Sequence, residues 1–465
     1  MNAPLIRLAL AACVLAHTSL VCGQPATVVD LKDFKPREVK STVFTLASSQ
    51  DLQVEAVGAD SNSPHSTFSW ITAMWNGREE DRREPWMGNT WILDLDSRRV
   101  VWELSSANTE RGHRSTRTFT GALRLPAGRY EAFYSAFPTM YWADEKGDTN
   151  TAQRFVNWLG DAGFDEFRLT LRGSAAVASG AEAERARRAF EDGAIVALRG
   201  DGSEKFRQAG FALSRPTRIE IYAEGEAREN NEFDGGWIIN AETREKVWRL
   251  TWQNSAPAGG ARKNRMARVT KTLPTGRYAA FYATDDSHDA GEWNSAPPHD
   301  PHAWGLAIRV SEAEALAAAK PFAYEHVPAT STIVALTKIG DSESRSRAFT
   351  LNRAMDVRVY AIGEGSGNRL VDYGWITNAV TGQKVWEMRY ADTEPAGGDA
   401  KNRAVDRVMH LEKGSYMVHY VSDDSHSFGD WNAAAPSDGQ HWGITVLGAQ
   451  GRLDRPAPGE SPAGR

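Results

Sequence analysis

The sequence predicts an all-β protein of three tandem β-sandwich domains joined by short linker helices. Two observations carry this. The first is repetition. "AIVALRGDGSEKFRQAGFAL" begins at Ala194 and "TIVALTKIGDSESRSRAFTL" at Thr332, an offset of 332 − 194 = 138 that holds without a gap to Trp304 and Trp442. The second is alternation. In "TRIEIYAEGE", Ile219 and Ile221 fall on one side and Arg218 and Glu220 on the other, the two-residue period of a half-buried strand. Val357 and Val359 repeat the pattern, as do Leu52 and Val54. Several short strands per unit, divided by turns such as Thr381-Gly382 and "LPTGRY", need two packed sheets to cover their apolar faces.

Taken in order, residues 1–23 match an export signal. Arg7 supplies the charge, Leu8 to Val21 is mostly apolar, and Val21-Cys22-Gly23 offers cleavage before Gln24. That run is short for a bilayer, and no later run approaches ~18 apolar residues, so no transmembrane segment is expected after signal removal. A periplasmic or extracellular location follows. Both cysteines, Cys13 and Cys22, lie in the signal, which leaves no thiol for disulfides, catalysis or zinc. A lipid anchor at Cys22 is an alternative, although Ser19 and Val21 depart from the lipoprotein pattern.

Residues 24–173 form a diverged first copy. "TWILDLDSRRVVWEL" from Thr90 answers "GWIINAETREKVWRL" from Gly236, and "LPAGRYEAFY" answers "LPTGRYAAFY". The copy has one insertion between Gly58 and Thr90 and another after Tyr134, with a helical pattern at Ala152–Leu159. Trp70, Trp75 and Trp86 beside "NGREEDRREP" make the first insertion a candidate protein-binding surface. Residues 174–193 are expected to be a linker helix with a capping box at Ser179 and Glu182. Residues 194–310 are the second sandwich. Residues 311–331 are a second linker helix, capped by Ser311 and Glu314 and stopped by Pro321. Residues 332–447 are the third sandwich, and 448–465 a disordered tail rich in Gly, Pro and charge.

The order "FTL", an alternating strand, an acid before "GWI" and "LPxGxY" resembles bacterial pre-peptidase C-terminal-type sandwiches. The resemblance implies secreted accessory domains, often attached to enzymes; no peptidase domain accompanies them here. The 138-residue period is too long for a β-propeller blade.

Two loops shared by the second and third copies carry the candidate chemistry. One holds Asp285, Asp286, His288, Glu292, Trp293 and Asn294, matched by Asp423, Asp424, His426, Asp430, Trp431 and Asn432. Three readings stand. Asp, His and Asn oxygens and nitrogens could ligate a divalent metal ion. Trp beside Asp and Asn could grip a glycan by stacking and hydrogen bonding. Or Asp and Ser cap turns while His and Trp complete the core. The other loop, "PAGGARKNR" and "PAGGDAKNR", places Lys263, Arg265, Lys401 and Arg403 beside glycines, an anion-loop candidate or a plain turn.

A net charge of −6 gives no support to nucleic acid as a partner. None of the common catalytic motifs is present, so the expected activity is non-catalytic binding of a glycan or extracytoplasmic protein through the end loops. A metal- or carboxylate-dependent hydrolase and a ligand-free spacer are the alternatives.

Overall fold

A computed structural model describes residues 25–449, apart from 61–85, 113–115, 138–163, 325–330 and positions 204, 230, 245, 286 and 312. The signal, residues 450–465 of the tail, Trp70, Trp75, Asp286 and the pattern at Ala152–Leu159 therefore lie outside the described residues, whereas Gly448, placed in the expected tail, ends a strand. The fold is all-β, made of antiparallel sheets, with one α-helix among the described residues.

Residues 196–322 build two sheets. One runs in the order Val196–Arg199, Gly305–Val310, Thr217–Arg228, Asn264–Leu273, Ala256–Pro257. The other runs Lys246–Arg249, Gly235–Asn240, Gly276–Ala283, Phe206–Leu213, Ala319–Phe322. Residues 332–448 repeat the first order with Thr332–Thr337, Gly443–Gly448, Met355–Ser366, Asn402–Leu411 and Glu394–Pro395. Their second sheet stops at four strands, Lys384–Glu387, Tyr373–Asn378, Gly414–Val421 and Ser344–Leu351. Upstream, Thr27–Leu31, Arg168–Arg172, Gln50–Asp60 and Thr116–Leu125 follow the first order. Arg99–Glu103, Trp86–Asp94, Gly128–Ser135, Val39–Leu46 and Ala176–Ala178 follow the second. Here Gln50–Asp60 also pairs with Trp86–Asp94, which joins ten strands into one sheet.

The motif "GRYxAFY", which reads "GSYMVHY" from Gly414 in the third stretch, shows why the order recurs. Its first tyrosine returns a hydroxyl bond to the turn four residues earlier: Tyr130 to Pro126 O, Tyr278 to Pro274 O, Tyr416 to Glu412 O. That ring stacks on the phenylalanine of "FTL" or its equivalent, Phe44, Phe211 or Phe349, at 5.2–5.5 Å. The last tyrosine crosses to the opposite sheet. Tyr134, Tyr282 and Tyr420 donate to the carbonyls of Val57, Glu224 and Ile362, each at 2.7 Å. All three are buried, so each hydroxyl needs that partner. Around them pack Leu52 and Val54, Ile219 and Ile221, or Val357 and Val359, the residues that alternation marks as inward.

Three expectations are revised. Ser311–Lys320 is not a linker helix. A 3-10 turn at Ala313–Ala318 runs into the strand Ala319–Phe322, which pairs with the edge of Phe206–Leu213. Tertiary pairing overrides the helix propensity of the alanines, and Pro321 is tolerated because it sits on an edge strand. Gly180–Asp192 is a helix, but Ser179 makes no side-chain cap bond. Ala183 packs with Trp91 and Phe133, and Phe190 with Tyr222, so the helix covers both neighbouring sheets. Trp86 is 5% exposed in a strand and belongs to the core, because its position alternates inward.

The contacts between consecutive stretches are the same twice. Arg98, in the turn after Trp86–Asp94, donates Nε to Asp300 Oδ2 at 2.7 Å; Arg244, in the turn after Gly235–Asn240, makes a two-pronged contact with Asp438. All four side chains are at most 4% exposed. Tyr222 and Tyr360 complete the pockets, each donating to its aspartate at 3.1 Å. Arg268 reaches Ser97 O, and Arg358 reaches Thr243 O, the matching carbonyl of the next turn. The acid and the base have swapped positions between the copies: Glu220 faces Arg268, whereas at the matching positions Arg358 faces Asp406. Burial pulls the Arg244 guanidinium down, and Asp438 with the tyrosines more than offsets it, so its pKa lies above the usual arginine value.

Removing one member of such a pair strands a buried charge. Asp438→Ala is expected to cost about 3–5 kcal/mol, and Arg244→Met with Asp438→Leu clearly less, as read by equilibrium denaturation.

Candidate functional site

The two shared loops interlock. In "PAGG" the second glycine has φ of +62° at Gly260 and +67° at Gly398, and a Cβ there would lie 1.9 Å from Pro297 O or 2.1 Å from Ala435 O. Only glycine permits that approach. The N–H of Ala261 donates to Ala296 O and that of Asp399 to Ala434 O, so these amides serve the neighbouring loop.

The histidines point inward. His288 and His426 are fully buried, in the left-handed region at φ +60° and +55°. Each places Nε2 2.6 Å from an asparagine Oδ1, of Asn264 or Asn402. Both amide protons of Asn264 go to Gly259 O and Ala296 O, and those of Asn402 to Gly397 O and Ala434 O. The asparagine oxygen must therefore accept, and the imidazole is the neutral Nε2–H form. Ser295 Oγ lies 3.3 Å from His288 Nδ1; Ala433 stands at the matching position, and His426 Nδ1 has no hydrogen-bond partner among the described residues. Trp293 and Trp304 pack edge-on around His288, as Trp431 and Trp442 do around His426.

The basic residues turn to internal acceptors. Lys263 Nζ is 3.2 Å from Glu226 and 2.8 Å from Asn294 Oδ1. Lys401 Nζ is 3.1 Å from Glu364 and also meets Asn432 Oδ1. Arg265 lies over Trp252 and bonds Ser255; Arg403 lies over Tyr390 and bonds Thr393.

Asp285 and Asp423 are half-buried. Each receives the N–H two residues on in an Asx turn and donates its own N–H to a deeper carboxyl, Asp234 or Asp372. The second oxygen of that carboxyl takes the indole N–H of Trp304 or Trp442. Outside remain Glu292, Asn294, Asp424, Asp430 and Asn432, all exposed, with Trp293 and Trp431 half-buried beneath them.

Sequence reasoning missed Glu226, Glu364, Asp234, Asp372, Asn264 and Asn402 as participants. The 138-residue offset holds for each pair and was the signal available. Oxygen atoms of Glu364, Asp372 and Asp423 all lie within 4.8 Å of one another. Burial pushes Asp372 up to about 7, and Glu226 also to about 7, against the pull of Lys263. Burial and then Lys263 hold His288 down to about 2; burial and then Lys401 hold His426 down to about 4. Chemically, the arrangement can retain protons on carboxyls near neutrality, or accept a divalent cation through oxygens if Lys401 gives way.

No protein-family model matches the chain, and no curated protein matches it.

The shifts have opposite signs in one pH window. A buried carboxyl with a raised pKa stabilises the fold most while protonated in both states, and that stability falls as pH rises from about 4 to about 7. A buried neutral histidine gives stability that is present above the unfolded value of about 6.5 and is lost as pH falls toward about 4. Asp372→Asn should therefore make stability rise more steeply from pH 4 to 7, and His426→Gln should make it rise less. Each change amounts to about 3–4 kcal/mol across the window at ~1.4 kcal/mol per unit, measured by denaturation at each pH.

Proposed function

We propose that the chain is an exported, non-catalytic binding protein of three tandem β-sandwich units. Its second and third units present matched rims, Glu292 and Asn294 in one and Asp430 and Asn432 in the other. One observation carries the reading. In both loops the same buried frame of His, Asn, Trp and Lys holds the same polar positions outward, over a half-buried tryptophan. A frame that only closed a sandwich end needs the amide oxygens, which accept from Lys263 and Lys401, but not an acid kept outside in both copies. Saccharide fits such a rim, the aromatic offering a stacking face and the acid and amide orienting hydroxyls. The lock Arg244–Asp438 supports a fixed spacing between the two rims, which favours two-point attachment to a polymer.

A glycan array probed with the full mature chain tests this. Glu292→Ala with Asp430→Ala should lose at least tenfold in apparent affinity without change in fold, since both side chains are exposed. Equal retention by wild type and variant on every glycan would overturn the rim reading. Sequencing of the mature N-terminus is expected to start at Gln24.

A second reading is favoured by the convergence of Glu364, Asp372 and Asp423. A divalent ion would displace Lys401 and take carboxylate oxygens. Calcium, zinc or manganese should then give saturable heat that Asp423→Asn removes. Absence of heat with all three leaves Lys401 as the counter-charge and ends this reading.

A further inference from the structure

The two rims share a backbone and differ in what it carries. In both loops a tight turn ends on the outward acid. Asp430 N donates to Ser427 O with Gly429 at φ +93°, and Glu292 N donates to Asp289 O with Gly291 at φ +113°. The second residue of the turn is Phe428 in one and Ala290 in the other. Phe428 and Trp431 are both half-buried, and both rest on the core of the third unit. Among the described residues no ring contact joins them, so they are separate platforms on either side of Asp430.

A base stands beside the added ring. Arg199 pairs with Gly305 and Thr337 with Gly443, while Gly200 N donates to Trp304 O and Ile339 N to Trp442 O. Lys338 is therefore one residue extra in the third unit, a local slip of register that the constant sequence offset hides. Ala290 N donates to Gly200 O and Phe428 N to Ile339 O, so the extra residue abuts the rim turn. Lys338 is exposed, at φ +55°, with Nζ 5.6 Å from the centre of the Phe428 ring. The other lysines of these loops are committed, Lys263 to Glu226 and Lys401 to Glu364. No described carboxylate lies within ion-pairing distance of Lys338.

We propose that Phe428 and Lys338 form a subsite, built only in the third unit, for a sugar that carries a carboxylate. The inference rests on the saccharide reading of the rims and extends it. The sugar lies against Phe428 with its carboxylate at the Lys338 ammonium, and the next sugar of the chain lies over Trp431 with a hydroxyl donating to Asp430. The second rim has Ala290 and no added base, so it takes one ring and does not select its charge. Acidic oligosaccharides are therefore held chiefly by the third unit.

The probe is oligogalacturonate, set against the same oligosaccharide with its carboxyls reduced to alcohols, titrated by calorimetry into the full mature chain. Wild type should bind the acidic form about fivefold more tightly at low salt, the scale of one exposed ion pair, and the gap should narrow at about 150 mM salt. Lys338→Gln should abolish the preference and Lys338→Arg restore it. Phe428→Leu, which keeps apolar packing on the core, should weaken both forms about fivefold, the scale of one aromatic contact. Equal binding of the two forms by wild type overturns the proposal. So does a preference that survives Lys338→Gln, or binding unchanged in Phe428→Leu. In those cases the rim reading stands if Glu292→Ala with Asp430→Ala still lowers binding. A wild type that binds neither form overturns the subsite as well, and the rim reading falls with it only if no glycan on the array is bound.

Discussion

A guanidinium removed from water must meet a carboxylate, and this constraint fixes how the parts of the molecule sit on one another. Arg98 and Arg244 leave their own sheets through tight turns, at φ of +53° and +61°, and end in pockets built by the next stretch. Each pocket is specific: an aspartate takes two nitrogens, and a tyrosine holds the aspartate. A bidentate pair tolerates little rotation, so orientation is set along with attachment. The covered faces follow from this. Trp91 and Trp237 are buried on the outer side of their sheets, beneath the helix Gly180–Asp192 in one case and Tyr324 in the other. Neither belongs to the sandwich interior.

Repetition and alternation were legible because they live in residue order. The period of 138 and the inward aliphatics predict what they do; the tyrosine hydroxyl bonds emerge only in the fold. The locks were not legible. Arg98 matches Arg244, and Asp300 matches Asp438, but the bond joins a residue of one copy to a non-equivalent residue of the next. Alignment of copies pairs like with like and cannot show that contact. The helix expected at Ser311–Lys320 failed for a related reason. Its alanines favour helix locally, and a free sheet edge nearby offers more hydrogen bonds than an isolated turn.

The loop containing His288 and its partner containing His426 divide into frame and rim. Composition names the residues but not which way each faces. Asp285 and Glu292 are both acids in one short stretch, yet one receives a turn amide and the other stands in water. The frame has its own logic. A neutral imidazole beside a lysine is stable only where burial excludes the proton, and the amide oxygen then fixes the tautomer. The two copies share that solution although Ser295 is replaced by Ala433, so the asparagine bond and not the serine holds the ring.

The third stretch departs from the others where it has no described successor. Gly382 stands at the position of Arg244, so the key is absent. Phe133 and Phe281 become His419, and Leu93 and Ile239 become Thr377. Both ring nitrogens of His419 are satisfied, by Ser346 Oγ at 2.8 Å and Thr377 Oγ1 at 3.1 Å. An outer face that had merely lost its neighbour would have kept phenylalanine and isoleucine and remained an adhesive patch. Hydrogen-bonding side chains suit that outer face to water rather than to an apolar neighbour.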